Sequence, residues 1–232
     1  MKILVTGSSG FIGLELVKKI SQKHEIVTFD LEDGQDILDF EKLKKSMKDC
    51  DVVVHLAAIK GPNEHKNFED YFKLNNIGTL NVAKSCLETG IKKLIYSSST
   101  GYYGVELGIP YQKPIRENNL VVNQHLKTDD LNCRDCDLAY STSKVIAEQI
   151  LANYGLRKKF QTIILRFGPI GDKTGVKWNL NGITLKVENA VQAIEKSIDV
   201  KSKIWYEAFT ITDKVKGVDI SKAKEILDYN PS

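Results

Sequence analysis

Short apolar runs alternate with stretches whose apolar residues recur every three or four positions, and the alternation continues to about residue 170. The runs KILVT (2–6), EIVTFD (25–30), DVVVHLAA (51–58), KKLIYSSS (92–99) and QTIILRF (161–167) have the length and β-branched content of strands. Between them, FIGLELVKKISQ spaces Ile12, Leu16, Val17 and Ile20 as one face of a helix, and FEKLKKSMK reads as a shorter helix. Residues 67–89 carry a long helical pattern stopped by Gly90, and YSTSKVIAEQILANYG (140–155) another that also stops at a glycine. Strands that are apolar throughout are buried on both faces. The βαβα order therefore predicts an α/β fold, a parallel sheet with helices on both sides.

Two regions break this rhythm. Residues 100–139 are polar and without a clear period, and a loop that long inside a compact domain usually carries function or moves. Beyond Pro169 a smaller unit is expected: a helix near 187–198, a strand near 203–211 and a short helix near 219–227. There is no internal repeat and no low-complexity tract.

Composition refines this only modestly. A chain of 232 residues, 42% hydrophobic and 27% charged, makes one large domain or one domain with a small appendage. The net charge of +3 is spread among interspersed acids and bases, which argues against nucleic acid as a partner. No apolar run approaches the roughly 20 residues that span a bilayer, and the N-terminus enters KILVTG without a signal pattern, so no membrane association and a cytoplasmic location are expected. The four cysteines are then thiols. Cys133 and Cys136 form a C-x-x-C without a second pair, and no metal site is expected of them.

Candidate chemistry begins at VTGSSGFIG, where Gly7, Gly10 and Gly13 join the first strand to the first helix. A helix N-terminus carries unpaired N–H groups and partial positive charge, so a glycine turn there is suited to a pyrophosphate. Gly7 would permit the tight turn, Gly10 the close approach of phosphates, and Gly13 the packing of helix on strand. Asp30, ending the second strand, is placed to accept hydrogen bonds from ribose hydroxyls. Leu31, Glu32 and Asp33 follow, so a 2′-phosphate would meet like charge, which favours NAD over NADP. Tyr140 and Lys144 stand four apart and hence one turn apart on a helix face. A phenol ordinarily titrates near pH 10, and an adjacent ammonium favours the phenolate, which suits an acid/base. Ser97, Ser98 and Ser99 follow the fourth strand, at the sheet end where ligands of doubly wound folds lie.

Together these segments resemble the extended short-chain dehydrogenase/reductase family, the NAD-dependent epimerase/dehydratase group. TGSSGFIG (6–13) looks like its T-G-x-x-G-F-I-G, placing Ser9, Phe11 and Ile12 beside the glycines at the cofactor. DILD (36–39) is similar to the acidic motif after the family's second helix, where Asp36 would contact adenine and Ile37 pack on it. VVHLAA (53–58) resembles the strand and loop under the cofactor, with Leu56, Ala57 and Ala58 in the loop. NNIGTLNV (75–82) resembles N-V-x-G-T, with Asn75 in the Asn position. YSSSTGYYG (96–104) resembles S-S-x-x-x-Y-G, which puts the catalytic hydroxyl at Ser99. PIRE (114–117) is similar to P-I-x-E, and YSTSK (140–144) to Y-x-x-x-K. LRFGPIG (165–171) resembles the segment at the nicotinamide end, including Phe167 and Gly168, and DISKAKEILDYNP (219–231) the family's late helix.

The resemblance implies a Rossmann-type doubly wound sheet. Residues 1–170 would bind NAD, with an insertion-like loop at 118–139, and residues 171–232 would form a small substrate-binding subdomain. It gives Tyr140 the acid/base role, Lys144 the ribose and the lowering of the phenol pKa, and Ser99 the substrate oxygen. It also implies a sugar or nucleotide-sugar substrate and a possible homodimer through helices 67–89 and 140–154. Family dehydratases carry Asp-Glu after the catalytic Ser/Thr; Thr100 and Gly101 stand here, which disfavours dehydration. Only 63 residues follow Pro169, fewer than members that grip a whole nucleotide-sugar devote to it, so oxidation or reduction at a free sugar hydroxyl is expected before 4-epimerisation. A non-catalytic NAD-binding regulator is disfavoured because both Tyr140 and Lys144 are present.

Overall fold

The computed structural model describes residues 1–107, 111–125, 133–171 and 182–232. The strands are β1 (Lys2–Thr6), β2 (Glu25–Phe29), β3 (Val52–His55), β4 (Lys93–Ser99), β5 (Gln161–Phe167) and β6 (Tyr206–Ile211). They form one sheet in the order β2-β1-β3-β4-β5-β6, and every neighbouring pair is parallel. The order reverses between β1 and β3, and the glycine turn leaves β1 at that switch point, where open α/β sheets receive ligands. The helices are α1 (Phe11–Ile20), α2 (Phe40–Ser46), α3 (Phe68–Tyr71), α4 (Gly78–Thr89), α5 (Val122–His125), α6 (Asp135–Gly155), α7 (Val187–Asp199) and α8 (Ser221–Leu227).

Alternate strand residues point to opposite faces, which gives two cores. Ile3, Val5, Val54, Ile163 and Leu165 pack against Leu16 of α1, Ile194 of α7 and Ala223 of α8. Leu4, Val53, Leu94 and Ile164 pack against Leu43 of α2, Val82 of α4 and Leu151 of α6. Lys93 is the exception on β4: its buried ammonium donates to the carbonyls of Ser197, Ile198 and Val200 at the C-terminal end of α7. That is the negative end of a helix, where a cation is favoured.

The five strands expected in the first 170 residues all form, and the differences are local. DVVVHLAA pairs only as far as His55, because Leu56–Ala58 turns over the glycine loop, with the Leu56 N–H still donating to the Thr6 carbonyl. The helical span 67–89 is broken by a π turn at Phe72–Ile77. Helix α6 begins at Asp135, before Tyr140, where the Arg134 N–H and guanidinium both donate to the Asp137 carboxylate. The polar stretch 100–139 is therefore not one loop: it holds two 3₁₀ turns (Thr100–Tyr103 and Val105–Leu107), α5 and the first turn of α6. The C-x-x-C lies at this helix start as two free thiols, Cys136 buried and Cys133 half-buried. Among the described residues no cluster of His, Cys, Asp and Glu suits a metal.

The expected boundary at residue 170 shows no break in sheet or core. Strand β6 pairs with β5 over Thr162–Phe167, and α7 shares a core with α1. Of 171–232, the segment 172–181 lies outside the described residues, as does 126–132 of the expected 118–139 loop.

Candidate active site

The glycine turn has the geometry its sequence implies. Gly7 has φ +71°, and a Cβ there would lie 2.6 Å from the Ala57 nitrogen. That position needs glycine for its backbone conformation and for the approach of the β3 loop. A Cβ on Gly13 would overlap the Gly7 carbonyl and reach 2.7 Å from that of Ser8, so α1 sits directly on the turn. Gly10 differs: its Cβ would meet only the Gly7 carbonyl, at 3.2 Å. Gly10 is the N-cap of α1, no side chain caps the helix, and no acid occupies its first turn. The first-turn N–H groups of Phe11, Ile12 and Gly13 are thus left to an external acceptor, and the residues present fit a pyrophosphate there.

Asp30 is tied into this turn. Its carboxylate accepts from the Ser9 N–H at 2.9 Å and from the Glu32 N–H at 3.0 Å. Each oxygen keeps further lone pairs, so ribose hydroxyls can still be accepted. Glu32 and Asp33 follow as expected, but one base does approach: Lys42 of α2 donates to the Gly34 carbonyl at 2.7 Å. Residues 36–39 follow a single 3₁₀ turn rather than a second helix, with Asp36 accepting from the Leu38 N–H. Ile37 is core, its side chain filling the space over Gly78 of α4. Phe167 is likewise core, and Gly168 is packed close to Thr212 and Ile183, so both support the sheet end from within.

Asn75 lies in the π turn, a feature frequent at functional sites. Its side-chain Oδ1 accepts from the Ile59 N–H at 2.8 Å, just past Ala57 and Ala58, and its Nδ2 donates to Ser143 Oγ at 2.9 Å. It therefore joins the loop over the glycine turn to the helix that carries Tyr140.

On α6, the buried Lys144 ammonium donates to the Ser97 carbonyl at 2.8 Å and lies 5.9 Å from the centre of the Tyr140 ring and 5.1 Å from that of Tyr96. Tyr140 is half-buried and packs edge-on to Tyr71. Ser99 caps the 3₁₀ turn after β4, its Oγ accepting from the Gly101 N–H at 3.1 Å. Lys144 thus stands beside Tyr140 at the C-terminal end of the sheet, and Ser99 lies two residues beyond the carbonyl that Lys144 holds.

Two buried polar assemblies lie beneath this end, and the sequence motifs pointed to neither. Below the cofactor half, His55 Nδ1 pairs with Thr6 Oγ1 at 2.7 Å and Nε2 with Thr79 Oγ1 at 3.0 Å. Thr79 donates its own proton to the Asn75 carbonyl, so it accepts from His55, and the Nε2–H tautomer follows. Burial, with the Lys144 charge adding to it, pushes the His55 pKa down to about 3, so the imidazole is neutral. Below the other half, Glu148 and Arg166 form a buried ion pair at 2.8 Å. Ser98 donates to the Glu148 carboxylate, Arg166 donates to the Tyr103 hydroxyl, and the Tyr102 ring stacks 3.4 Å from the guanidinium carbon. Burial works against the Arg166 charge and Glu148 more than restores it, holding the guanidinium protonated. Tyr140, Lys144 and Glu148 recur at four-residue spacing on α6, a pattern that hints at the glutamate; its arginine partner stands in the LRFGPIG motif. A cleft of about 540 Å³ opens beside β6, lined by Arg116, Glu117, Arg166, Tyr206 and Lys222 among others. None of Ser99, Tyr140 or Lys144 lines it. Glu117 meanwhile accepts from the Thr210 N–H on β6 at 2.7 Å.

Comparison with known proteins agrees with this geometry. The model of the NAD dependent epimerase/dehydratase family matches residues 3–170. A UDP-glucose 4-epimerase of Vibrio cholerae is 28% identical over 213 residues, 82% of this chain and 57% of the relative. A GDP-6-deoxy-D-talose 4-dehydrogenase of Aggregatibacter actinomycetemcomitans is 28% identical over 86% of this chain and 62% of its own length. The chain thus spans little more than half the length of such curated relatives. In fold it is similar to the UDP-glucuronic acid 4-epimerase of Bacillus cereus solved with NAD, with TM-score 0.79 and 22% identity, over 100% of this chain and 94% of that one. With the family model matched over residues 3–170, most of its length, this chain belongs to the NAD-dependent epimerase/dehydratase family.

Proposed function

We propose that this protein is an NAD-dependent oxidoreductase acting at a sugar hydroxyl or keto carbon, with Tyr140 as its acid/base. The observation that carries the reading is the buried Lys144 ammonium, fixed on the Ser97 carbonyl beside the Tyr140 ring and two residues from Ser99. Bound NAD would accept or return the hydride. The Tyr140 phenolate, favoured by the adjacent ammonium, would take the proton of the sugar hydroxyl, and Ser99 Oγ would hold that oxygen by a hydrogen bond. Gly7, Gly10 and Gly13, with the α1 N-terminus, would seat the pyrophosphate, and Asp30 the adenosine ribose. Three acids, Asp30, Glu32 and Asp33, against the single Lys42 favour NAD over NADP.

The names of the relatives favour a second reading with the same residues, 4-epimerisation of a nucleotide-sugar, in which the hydride returns to the other face of the keto-sugar. One assay separates the two. A dehydrogenase releases NADH when given NAD with a uronic acid or a UDP-sugar; an epimerase retains NAD through gel filtration and gives sugar exchange without net NADH. Tyr140→Phe is expected to lower either activity by about 10²–10⁴-fold with NAD still bound, the range typical of a positioned acid/base. A Tyr140→Phe protein that turns over like the parent would overturn the catalytic model.

Two coarser expectations also stand as proposals. Pairing with a second copy along the 67–89 span is supported by the exposed Phe68, Phe72, Ile77 and Leu87, and light scattering reads it directly. A cytoplasmic location is consistent with the finding that no described helix is long and apolar enough to cross a membrane.

A further inference from the structure

Position 76 departs from the motif around it. N-V-x-G-T has an apolar residue where this chain has Asn76, and the Asn76 side chain is fully buried. Its Nδ2 donates to the Ser143 carbonyl at 2.7 Å; facing a carbonyl, that atom must be the amide nitrogen. Its Oδ1 is buried without a hydrogen-bond partner among the described residues. An unpaired buried carboxamide oxygen is costly, and valine would avoid that cost while filling similar space. Among the described residues, the single side-chain hydrogen bond that Asn76 makes is to the Ser143 carbonyl, between Tyr140 and Lys144.

Ser143 is gripped at more than that point. Its Oγ donates to the Tyr140 carbonyl at 2.7 Å and accepts from Asn75 Nδ2 at 2.9 Å. Two consecutive asparagines thus reach one serine. The π turn allows it, because with more residues per turn it separates successive side chains by a smaller angle than an α-helix does. Asn75 is itself fixed to the Ile59 N–H, in the loop that follows Ala57 and Ala58.

We propose that Asn76 is a positioning residue: with Asn75 and Ser143 it clamps the α6 turn from Tyr140 to Lys144 and so sets the approach of the Lys144 ammonium to the Tyr140 phenol. The proposal rests on the catalytic reading of Tyr140 given above. Without the clamp the turn is held less closely, the ammonium stabilises the phenolate less, and the phenol titrates at higher pH.

The test is Asn76→Val, which restores the motif residue, in the full chain loaded with NAD. Tyrosine labelled with ¹³C at Cζ reports the phenol titration without any substrate, and Tyr140→Phe assigns the signal. The expected result is a Tyr140 titration about one unit higher, with kcat at neutral pH about tenfold lower, since one unit is a tenfold change in phenolate fraction. KM and the NAD Kd should stay within about twofold. Ser143→Ala keeps the carbonyl but loses the link to Tyr140, and a smaller upward shift is expected of it. If Asn76→Val does not fold, Asn76→Ala, which removes the same bond, decides the matter. An unchanged Tyr140 titration in whichever variant folds would leave Asn76 a mere packing residue and overturn the proposal. If instead Tyr140→Phe proves fully active, the catalytic reading fails, and the titration still decides the clamp on its own.

Discussion

Beneath the cofactor side of the sheet end, on the left with β1 and β3, Thr6, His55, Thr79 and Tyr96 are neutral; beneath the other side, on the right with β5 and β6, Glu148 and Arg166 form a full ion pair. Thr6, His55 and Tyr96 stand side by side on β1, β3 and β4, and Ser98, Arg166 and Thr210 side by side on β4, β5 and β6, on the same face. On the left, burial keeps His55 unprotonated between two hydroxyls and pushes the Tyr96 phenol well above its ordinary value, a shift to which Glu148 adds. On the right, Arg166 keeps its charge because Glu148 and the Tyr103 hydroxyl meet its donors. The Tyr103 phenol, itself buried, is raised to about 12 and stays protonated. The Tyr96 hydroxyl is buried without a hydrogen-bond partner among the described residues, but the His55 and Arg166 side chains at the two centres are both paired. They differ in what a single substitution leaves behind: an unmet dipole on the left, an unmet charge on the right.

That contrast can be broken in order of expected effect. Arg166→Met alone leaves the Glu148 carboxylate buried without its cation, and chemical denaturation should show a loss of about 3–5 kcal/mol. Replacing Glu148 by Met as well removes the stranded charge, and the double variant should regain a large part of that loss; if it is no better than the single, the cluster acts by packing rather than by charge. On the left, His55→Gln removes a ring whose two hydroxyl partners can find others, and a smaller loss of about 1–3 kcal/mol is expected from the same measurement. The last effect is absent at neutral pH and appears only in acid. An unfolded histidine titrates near 6.5, while folded His55 takes up its proton only near 3. Between those values the unfolded state binds the extra proton, so the contribution is full above pH 6.5 and declines as pH falls toward 3. Melting curves of His55→Gln should therefore show a shallower decline than the parent across that window.

Which of these features the sequence discloses follows from how local each one is. Strands β1 to β5 are legible because each is a continuous apolar run, and α1 because its spacing and the glycine turn agree. The start of α6 is hidden, since Asp135–Leu138 carries no apolar period and its N-terminus is held by Arg134 on Asp137. The π turn is hidden too, because one extra residue per turn scarcely alters an amphipathic pattern; only the pair Asn75-Asn76 in an otherwise apolar stretch marks it. The glycines, Asp30, Ser99, Tyr140 and Lys144 form a recognisable set because they belong to short motifs. His55–Thr6 and Glu148–Arg166 join residues 49 and 18 apart whose partnership exists only after the sheet has assembled. Ile37, to which the family resemblance gives an adenine contact, is packed in the core over Gly78.

The Glu117 carboxylate on the Thr210 N–H has a consequence for self-association. Strand β6 is the last in the sheet among the described residues, and an edge strand offers its unpaired N–H and C=O groups to any passing strand. Glu117 occupies the rung at Thr210 that an incoming backbone carbonyl would need, and it brings a negative charge to that spot. The same side chain that closes the wall of the cleft therefore acts as a stop to sheet extension, and Glu117→Ala is the change that would let a second chain begin to add on.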